Sequence, residues 1–379
     1  MKKNILFIIP GYNHGGTNKS LQNMLSLLDS DLYNFYIFTT NKDDFYKNIF
    51  SKYKIIKTPN YLFKYCNSNN LIIRLLRFFD HKFGNIIFNS ITHKVAGNIE
   101  KLYKIDTVVA FEEGKTKNIV KHFKCKRIAW IHCDYKFFYE RFSPNLKTEL
   151  KVYSSFDNII CVSQTTAKSF ISIFPSLSSK VLYIYNLLDV ETINRLSNDY
   201  IDFDCNCFKI VSVGRLDTIK RFDKIPYIVN EIFNINKNLK FKWFIIGDGD
   251  QKIKDRINLG IKKYGLDNIV ICLGLKNNPY PYIRQSELLV STSLSEAYPY
   301  VVNESKILKT PILLSNFDSA FELVRNDNAI ISSIEDMPHL LVQIMSNYNG
   351  IYDKMVKAAK DEEYSNSEIL NKLNNLFLN

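Results

Sequence analysis

Short runs of apolar residues alternate with longer stretches of helical apolar spacing along most of this chain. Strands that alternate with helices in this way form parallel sheets with helices packed on their faces. The pattern therefore predicts an α/β fold, with a first helix that starts near Thr17. The predicted strands are 4–9, 34–39, 107–111, 127–132 and 159–162 in the first half, and 208–213, 241–246, 269–272, 287–291 and 311–314 in the second.

The length of 379 residues is sufficient for two domains of ordinary size. A polar, acidic stretch at 189–207 separates the two sets of predicted strands, and we interpret it as an interdomain linker. We expect a Rossmann-like domain at 1–188 and a second one at 208–350. Residues 351–379 are expected to be helical and to pack back on the N-terminal domain.

The net charge of +12 is distributed unevenly along the chain. Residues 1–189 contain 27 Lys or Arg and 14 Asp or Glu, whereas the rest contains 23 and 24. This excess indicates an anionic partner for the first half. The candidates are a membrane surface, a lipid diphosphate, an acidic glycan and nucleic acid.

The stretch 69–84 combines many apolar and aromatic residues with Arg74, Arg77 and Lys82. It could lie flat in a bilayer interface, with its basic groups near anionic lipid. The alternative is a core helix whose basic side chains extend to the surface. No apolar run is long enough to span a membrane, and the run 5–9 is too short for a signal peptide. We therefore expect a cytoplasmic protein, with a peripheral position on the inner face of the membrane as an option.

Residues 296–304 set two carboxylates, Glu296 and Glu304, eight positions apart around a predicted helix start. Pro299 favours the first turn of a helix, which puts Glu296 in the loop and Glu304 on the helix. The two carboxylates would then be roughly 10 Å apart. Between them the free amides near Tyr300 and Val301 could bind phosphate oxygens. The spacing suits a nucleotide sugar, although an ordinary helix with two solvated glutamates gives the same pattern.

Several other motifs lie at the ends of predicted strands. Residues 210–214 lead into Arg215 and Lys220, and 244–249 form a strand that ends in Gly247, Asp248 and Gly249. In the first half, 4–10 lead into Gly15 and Gly16, and 129–134 contain His132. Glu112 and Glu113 follow another predicted strand, where they could face an acceptor or lie in a solvated loop.

Together these motifs resemble those of retaining glycosyltransferase family 4, a family of GT-B enzymes, over nearly the whole chain. The resemblance implies two Rossmann-like parallel-sheet domains that face each other across a cleft, with a C-terminal helix that crosses back. The N-terminal domain would bind the acceptor and the C-terminal domain the nucleotide sugar.

The resemblance also implies a role for each motif. Arg215 and Lys220 would bind the donor diphosphate, and Glu296 would orient the sugar. The nucleotide would contact Gly247, Tyr300, Val301 and Glu304, with Glu304 on the ribose. His132 and the loop of Gly15 and Gly16 would lie beside the donor sugar.

The resulting hypothesis is a hexosyltransferase that acts with retention of anomeric configuration in capsule, lipopolysaccharide or related polysaccharide biosynthesis. The favoured donor is a UDP sugar, and the favoured acceptor is a lipid-linked glycan or oligosaccharide. The resemblance implies neither a cofactor nor a metal, since cationic side chains act on the leaving diphosphate. The chain departs from the family at Asn18, where Glu is common, and at 298–300, where Phe-Gly is frequent.

Three other classes of protein share some of these features. A sugar-nucleotide epimerase or a phosphorylase could use the same fold. A basic nucleic-acid-binding protein would suit the first half but leaves the neutral second half unexplained. A dinucleotide dehydrogenase is disfavoured because Lys252 stands where the third glycine of its fingerprint would be.

Overall fold

The computed structural model describes residues 1–11, 15–39, 47–82, 85–203, 206–324 and 327–379. Residues 83–84 of the basic, apolar stretch and 204–205 of the predicted linker therefore lie outside the described residues. The chain divides into two compact units. The N-terminal unit is Met1–Leu187 together with Asn366–Asn379, and the C-terminal unit is Leu188–Ser365.

Within its described residues, the N-terminal unit contains a seven-stranded parallel sheet of order β3-β2-β1-β4-β5-β6-β7. Its strands are β1 (Lys3–Ile9), β2 (Tyr33–Thr39), β3 (Lys54–Ile56), β4 (Thr107–Ala110), β5 (Lys126–Ile131), β6 (Asn158–Cys161) and β7 (Val181–Tyr183). Its helices are α1 (Gly16–Leu27), α2 (Lys47–Phe50), α3 (Asn60–Asn67), α4 (Leu71–Lys82), α5 (Ile86–Tyr103), α6 (Lys117–Val120), α7 (Tyr135–Phe142), α8 (Leu146–Ser154), α9 (Gln164–Ile173), the 3-10 helix Pro175–Lys180 and, near the C-terminus, α18 (Ser367–Leu378).

The described part of the C-terminal unit contains a six-stranded parallel sheet of order β10-β9-β8-β11-β12-β13. Its strands are β8 (Phe208–Val213), β9 (Phe241–Ile246), β10 (Val270–Gly274), β11 (Leu288–Ser291), β12 (Ile312–Ser315) and β13 (Ala329–Ser332). Its helices are α10 (Val190–Leu196), α11 (Ile225–Ile235), α12 (Gln251–Tyr264), α13 (Tyr280–Arg284), α14 (Tyr300–Ile307), α15 (Ala320–Leu323), α16 (Met337–Met345), α17 (Ile351–Asp361) and the 3-10 helices Phe222–Lys224 and Tyr348–Gly350.

All ten predicted strands are confirmed, with ends that differ by at most two residues. Their continuous apolar character follows from burial on both faces. In the C-terminal sheet, Ile210 and Trp243 pack into one core, whereas the next residues along each strand, Val211 and Phe244, pack into the other. Within the described residues, no helix is both long and apolar enough to cross a bilayer.

The strand order of each sheet reverses direction at one pair of neighbouring strands. The reversal lies between β1 and β4 in the N-terminal sheet and between β8 and β11 in the C-terminal sheet. In open parallel sheets, ligands bind outside the carboxyl ends of the strands at such a position. The loops that follow these four strands are therefore the places to look for a site.

Residues 189–207 are not a linker, as the sequence predicted, but begin the C-terminal unit. Asp189 caps helix α10 by accepting a hydrogen bond from the Thr192 amide at 2.9 Å. Ile193 and Phe203 are buried in the same core, where the Phe203 ring lies 4.4 Å from the Phe244 ring. The sequence analysis did not recognise these two core residues, because the residues around them are mostly polar.

Residues 351–379 do not act as one segment, which also differs from the prediction. Helix α17 belongs to the C-terminal unit, where Met355 is buried in the core. Only α18 belongs to the N-terminal unit. There the Phe377 ring lies 6.2 Å from the Phe7 ring of β1, and Asn374 accepts a hydrogen bond from the Tyr33 hydroxyl at 2.8 Å.

Candidate functional site

The loop after β8 is shaped by one carboxylate. Asp217 Oδ1 accepts hydrogen bonds from the amides of Ile219 and Lys220, both at 2.9 Å, and Asp217 Oδ2 accepts one from Arg215 Nε at 2.8 Å. Burial alone would raise the pKa of Asp217, but the bonds from the Lys220 amide and Arg215 lower it below its ordinary value. The Arg215 side chain is 67% exposed, so its guanidinium is held by Asp217 and still open to a ligand.

Gly247 is required by a close approach between two loops. It has a φ of +152°, and a Cβ added there would lie 1.8 Å from the carbonyl oxygen of Gly214. Each of these two glycines follows its strand directly, β9 for Gly247 and β8 for Gly214. A side chain at position 247 would therefore push the Arg215 loop away from the sheet.

Lys220 and Glu296 form an ion pair that joins the loops after β8 and β11. Ser293 Oγ donates a second hydrogen bond to the same carboxylate oxygen, Glu296 Oε1, at 2.6 Å. The Glu296 side chain is only 13% exposed and that of Lys220 is 20% exposed. The structure thus brings together two residues that the sequence separates by 76 positions, and it excludes a solvated Glu296.

Arg221 is a site residue that the sequence analysis missed. It adopts a left-handed backbone conformation with a φ of +52°. Its guanidinium donates to the carbonyl oxygens of Thr292 at 2.8 Å and Ser293 at 3.0 Å, and Thr292 Oγ1 donates back to the Lys220 carbonyl at 2.7 Å. Arg221 therefore holds the Lys220 loop against the loop that carries Glu296. Its position directly after Lys220 was the one feature of the sequence that could have indicated a role at the site.

Helix α14 begins at Tyr300, with Pro299 as its N-cap. The amides of Tyr300 and Val301 thus lie in its first turn, at the positive end of the helix dipole. Glu304 is the fifth residue of α14 and is buried, with 2% of its surface exposed. This burial is inconsistent with the alternative of a solvated glutamate at position 304.

Asp248 and Asp250 follow β9 and are separated by one residue. Two aspartates at this spacing bind metal ions in other proteins. Here Asp248 pairs with Lys254, while Asp250 caps α12 by accepting from the Lys252 amide at 2.9 Å. Among the residues that the structure describes, no group of three or more His, Cys, Asp or Glu side chains is placed to hold a metal ion.

The other predicted residues lie in the N-terminal unit, at the carboxyl ends of β1, β4 and β5. Gly15 is the N-cap of α1, and its carbonyl accepts the first helical hydrogen bond, from the Lys19 amide at 3.1 Å. Gly16 is the first residue of that helix. The space around the Gly15 Cα is open, since a Cβ there would meet no atom within 4 Å. The two glycines thus place no side chain of their own at the start of α1.

His132 follows β5 directly and is partly buried. The ring lies 4.7 Å from the ring of Phe111. His132 Nε2 is buried and has no hydrogen-bond partner among the described residues. Burial lowers the pKa of His132 to about 3, so the imidazole is neutral at physiological pH. A buried neutral imidazole of this kind is available to make a hydrogen bond to a ligand.

Glu113 holds the backbone beside His132. The Glu113 carboxylate accepts hydrogen bonds from the amides of His132 and Cys133, the latter at 2.7 Å. Burial raises the pKa of Glu113. Its own carbonyl accepts a hydrogen bond from Lys117, whose ammonium pairs with Glu149 at 2.8 Å. Glu113 is therefore not a solvated loop residue, which was one of the two sequence hypotheses, whereas a position facing an acceptor stays a prediction.

The site residues thus fall into two groups, each within its own unit. Lys220 and Glu296 are in direct contact, Arg215 and Gly247 lie in neighbouring loops, and Tyr300, Val301 and Glu304 lie on α14. In the N-terminal unit, Gly15, Gly16 and His132 lie at the ends of β1 and β5, and Glu113 supports His132.

Comparison with known protein families identifies the C-terminal unit. The sequence model of the family described as "Glycosyl transferases group 1" matches residues 207–348. This range contains Arg215, Lys220, Gly247, Glu296 and Glu304. The part of the chain with the paired charges is therefore also the part that the family shares.

Curated relatives match over longer stretches of the chain. An N-acetylgalactosamine-N,N'-diacetylbacillosaminyl-diphospho-undecaprenol 4-alpha-N-acetylgalactosaminyltransferase of Campylobacter jejuni is 25% identical over 231 residues, which cover 59% of this chain and 58% of the relative. The O-antigen biosynthesis glycosyltransferase WbnH of Escherichia coli is 26% identical over 204 residues, or 54% of this chain and 55% of the relative. The chain thus spans about half the length of the curated relatives that it matches.

The fold is also found among solved structures. The crystal structure of Anabaena Alr3699/HepE in complex with UDP-glucose superposes with a TM-score of 0.75 at 16% sequence identity. The superposition covers 98% of each chain. At this low identity the similarity shows the fold alone. The matched fold includes both sheets.

Proposed function

Because the chain belongs to the GT-B glycosyltransferases, we propose that it transfers a sugar from a nucleotide-diphosphate sugar to a hydroxyl group of a glycan. The observation that carries this proposal is the Lys220–Glu296 ion pair at the strand-order reversal of the C-terminal sheet. It sets a cation beside a hydrogen-bonding carboxylate. A donor substrate presents the complementary pair, a diphosphate directly attached to a sugar with hydroxyl groups.

Each residue around the ion pair has a matching part of the donor in this proposal. Lys220 and the exposed guanidinium of Arg215 bind the diphosphate, and Arg221 keeps their loop in place. The first-turn amides of α14 at Tyr300 and Val301 add hydrogen bonds to phosphate oxygens. Glu304 accepts hydrogen bonds from the ribose, Glu296 orients the sugar hydroxyls, and Gly247 allows the loops to approach. UDP is the favoured nucleotide, since the Anabaena structure contains UDP-glucose.

The proposed reaction breaks the bond between the anomeric carbon and the phosphate oxygen and forms one to the acceptor oxygen. The acceptor proton passes to the leaving phosphate, so that attack occurs on the face that the phosphate leaves and the configuration is retained. Lys220 and Arg215 stabilise the negative charge that grows on the diphosphate. This role requires no metal, and turnover should be insensitive to EDTA. The neutral His132 of the N-terminal unit would donate or accept a hydrogen bond to a substrate.

The proposed acceptor is a lipid-linked glycan, and the proposed context is surface polysaccharide biosynthesis, of capsule or lipopolysaccharide type. Two observations support this choice. One is the basic character of residues 1–189. The other is that the Campylobacter relative acts on a diphospho-undecaprenol substrate and the Escherichia relative is a glycosyltransferase of O-antigen biosynthesis. The proposed location is the cytoplasm, at the inner face of the membrane.

A thermal-shift screen tests the donor site. The purified chain is heated with UDP, GDP, ADP, CMP and their common sugar conjugates, and the screen is repeated with Glu304→Ala. We expect stabilisation by one diphosphate. Glu304→Ala should weaken that binding by about 1.5 to 3 kcal/mol, the range for hydrogen bonds to a charged group.

Glu363→Ala is the matched control, since it removes an exposed glutamate of the same unit. It should bind the nucleotide as the unchanged chain does. Absence of stabilisation by any nucleotide, or equal affinity in a folded Glu304→Ala variant, would contradict the proposed donor site. Product analysis with the donor so identified then separates transfer from epimerisation or phosphorolysis.

A further inference from the structure

Helix α4 exposes its apolar residues. Six large apolar side chains of this helix are between 40% and 72% exposed: Leu71, Ile72, Leu75, Leu76, Phe78 and Phe79. A surface helix of a globular protein normally turns such residues toward the core. Helix α4 is therefore oriented in the opposite sense to an ordinary amphipathic helix.

Two polar residues of α4, Arg77 and Asp80, point inward and fix this orientation. Asp80 is 5% exposed and accepts hydrogen bonds from the Tyr65 hydroxyl and from the amides of Ile87 at 2.8 Å and Phe88 at 2.9 Å. Arg77 donates to the carbonyl oxygens of Cys66 at 2.6 Å and Ser68 at 2.7 Å. These bonds connect α4 to α3 and α5, and they exclude the alternative of a core helix.

The exposed apolar surface continues onto the first turn of α5. Ile86 is 67% exposed and Ile87 is 41% exposed, and the Ile87 amide is bonded to Asp80 of α4. We call these two residues and the six of α4 the α4 apolar face. Contiguous exposed apolar surface of this kind marks an interaction site, because contact between apolar surface and water is unfavourable in free energy.

The stretch of sequence that contains this face is basic, which bears on the choice of partner. Residues 45–99 contain nine Lys or Arg and one acidic residue, Asp80, which is buried. Arg74 and Lys82 of α4 are exposed, whereas Arg77 is committed to its carbonyl partners. A second copy of this chain would bring the same positive charge against it. An anionic bilayer combines apolar depth with negative headgroups and is complementary in both respects.

We infer that the α4 apolar face docks the N-terminal unit on the interface of an anionic lipid bilayer. Helix α4 would lie along the surface, with Phe78, Phe79 and Ile72 among the acyl chains near the headgroups. Arg74 and Lys82 would meet lipid phosphates. This inference goes beyond the proposed sugar transfer, since docking requires neither donor nor acceptor.

Flotation of the full chain with lipid vesicles tests the inference. One set of vesicles contains equal parts of phosphatidylglycerol and phosphatidylcholine, and the other contains phosphatidylcholine alone. We expect the chain to float with the anionic vesicles and to lose most of that binding in high salt. Phe78→Ser combined with Phe79→Ser should weaken the partition about tenfold or more, since each ring loses its burial.

The control is Leu102→Ser combined with Phe321→Ser, which removes two equally exposed apolar side chains, 73% and 70% exposed, outside the α4 apolar face. It should float as the unchanged chain does. Arg74→Gln and Lys82→Gln should each reduce the partition about fivefold, the effect of one cation near an anionic surface. Because all these side chains are exposed, circular dichroism and thermal unfolding should show intact folds.

Three results would overturn the inference. They are failure to bind anionic vesicles at low salt, equal loss of binding in the control, and loss of a concentration-dependent dimer in the Phe78 and Phe79 variant while vesicle binding persists. Glu304→Ala separates docking from the proposed function, since it should float normally. A chain that floats but binds no nucleotide would support docking and contradict the donor site.

Discussion

The two groups of site residues occupy equivalent strand ends in the two units, but they are stabilised differently. In the C-terminal unit each cation has a partner: Lys220 has Glu296, and Arg215 has Asp217. In the N-terminal unit the buried Nε2 of His132 has no partner among the described residues, and only the backbone beside it is held, by Glu113.

The cost of burial explains this difference between Lys220 and His132. A buried charge without a partner is strongly destabilising, whereas an unpaired neutral imidazole nitrogen costs far less. A ligand that binds in the C-terminal unit must therefore share Lys220 with its existing partner, Glu296. A ligand that reaches His132 gains a hydrogen bond without displacing one. The first group can therefore select ligands by their charge, and the second can select ligands by the position of a single polar atom.

The largest expected effect concerns the paired cation. Lys220→Ala should lower kcat about 100-fold to 1,000-fold, because it removes charge stabilisation from the leaving diphosphate. It should weaken binding of the free nucleoside much less, since the nucleoside has no diphosphate. Steady-state kinetics and calorimetry measure the two effects.

Lys224→Ala, which removes an exposed lysine four residues away, is the control and should leave both quantities unchanged. If Lys220→Ala reduced turnover and nucleoside affinity equally, Lys220 would be a general binding residue. The proposed difference between the site residues of the two units, that only the C-terminal group selects ligands by charge, would then not hold.

A smaller effect is expected at the backbone that supports His132. Glu113→Ala leaves the amides of His132 and Cys133 without their acceptor, which should lower the free energy of unfolding by about 1 to 3 kcal/mol. Urea unfolding measures this change, and kcat should fall as well because His132 is no longer held in place. Glu140→Ala, at an exposed position of α7, should alter neither. Unchanged stability and kcat in Glu113→Ala would show that His132 is positioned by other contacts.

The smallest expected effect is the pH dependence that the buried imidazole creates. The pKa of His132 is about 3 in the folded chain, whereas the unfolded chain takes up this proton near the ordinary value of about 6.5. Stability should therefore fall as the pH decreases below about 6.5, by up to about 1.4 kcal/mol per pH unit. His132→Gln should remove about 2 kcal/mol of the loss between about pH 6.5 and pH 5.

Urea unfolding at these two pH values compares the variant with the unchanged chain. His122, whose pKa burial lowers to about 4, is present in both proteins and cancels in the difference. His81→Gln, at an exposed position of α4, is the control and should keep the full pH dependence. A His132→Gln variant with the same dependence would mean that the imidazole is hydrated.

The sequence predicted the central strands and missed three strands at the edges of the sheets. These are β3, β7 and β13, which are three, three and four residues long. An edge strand is covered incompletely, so that its residues need not form a continuous apolar run. β10 is also an edge strand, but its sequence Val-Ile-Cys-Leu-Gly retains the apolar signal.

The sequence indicated candidate site residues but not the contacts between them. Strand ends and glycines indicated Lys220 and Glu296, but no sequence pattern indicated that the two would pair, since they are far apart in the chain. Arg221 was missed because its role depends on carbonyl oxygens, which every residue has. The orientation of α4 could not be predicted either, because inward and outward arrangements of the same helix have the same periodicity.

The position of α18 determines when the N-terminal unit can be completed. Residues 366–379 leave the ribosome only after the whole C-terminal unit has been synthesised, yet Phe377 packs on Phe7 and Leu376 accepts a hydrogen bond from Lys126 at 2.6 Å. During synthesis the N-terminal unit therefore keeps the surface that α18 covers exposed to water until residues 366–379 are available. A truncated chain of residues 1–187 would keep that surface exposed, so that attempts to express the N-terminal unit alone should add residues 366–379 through a short connection.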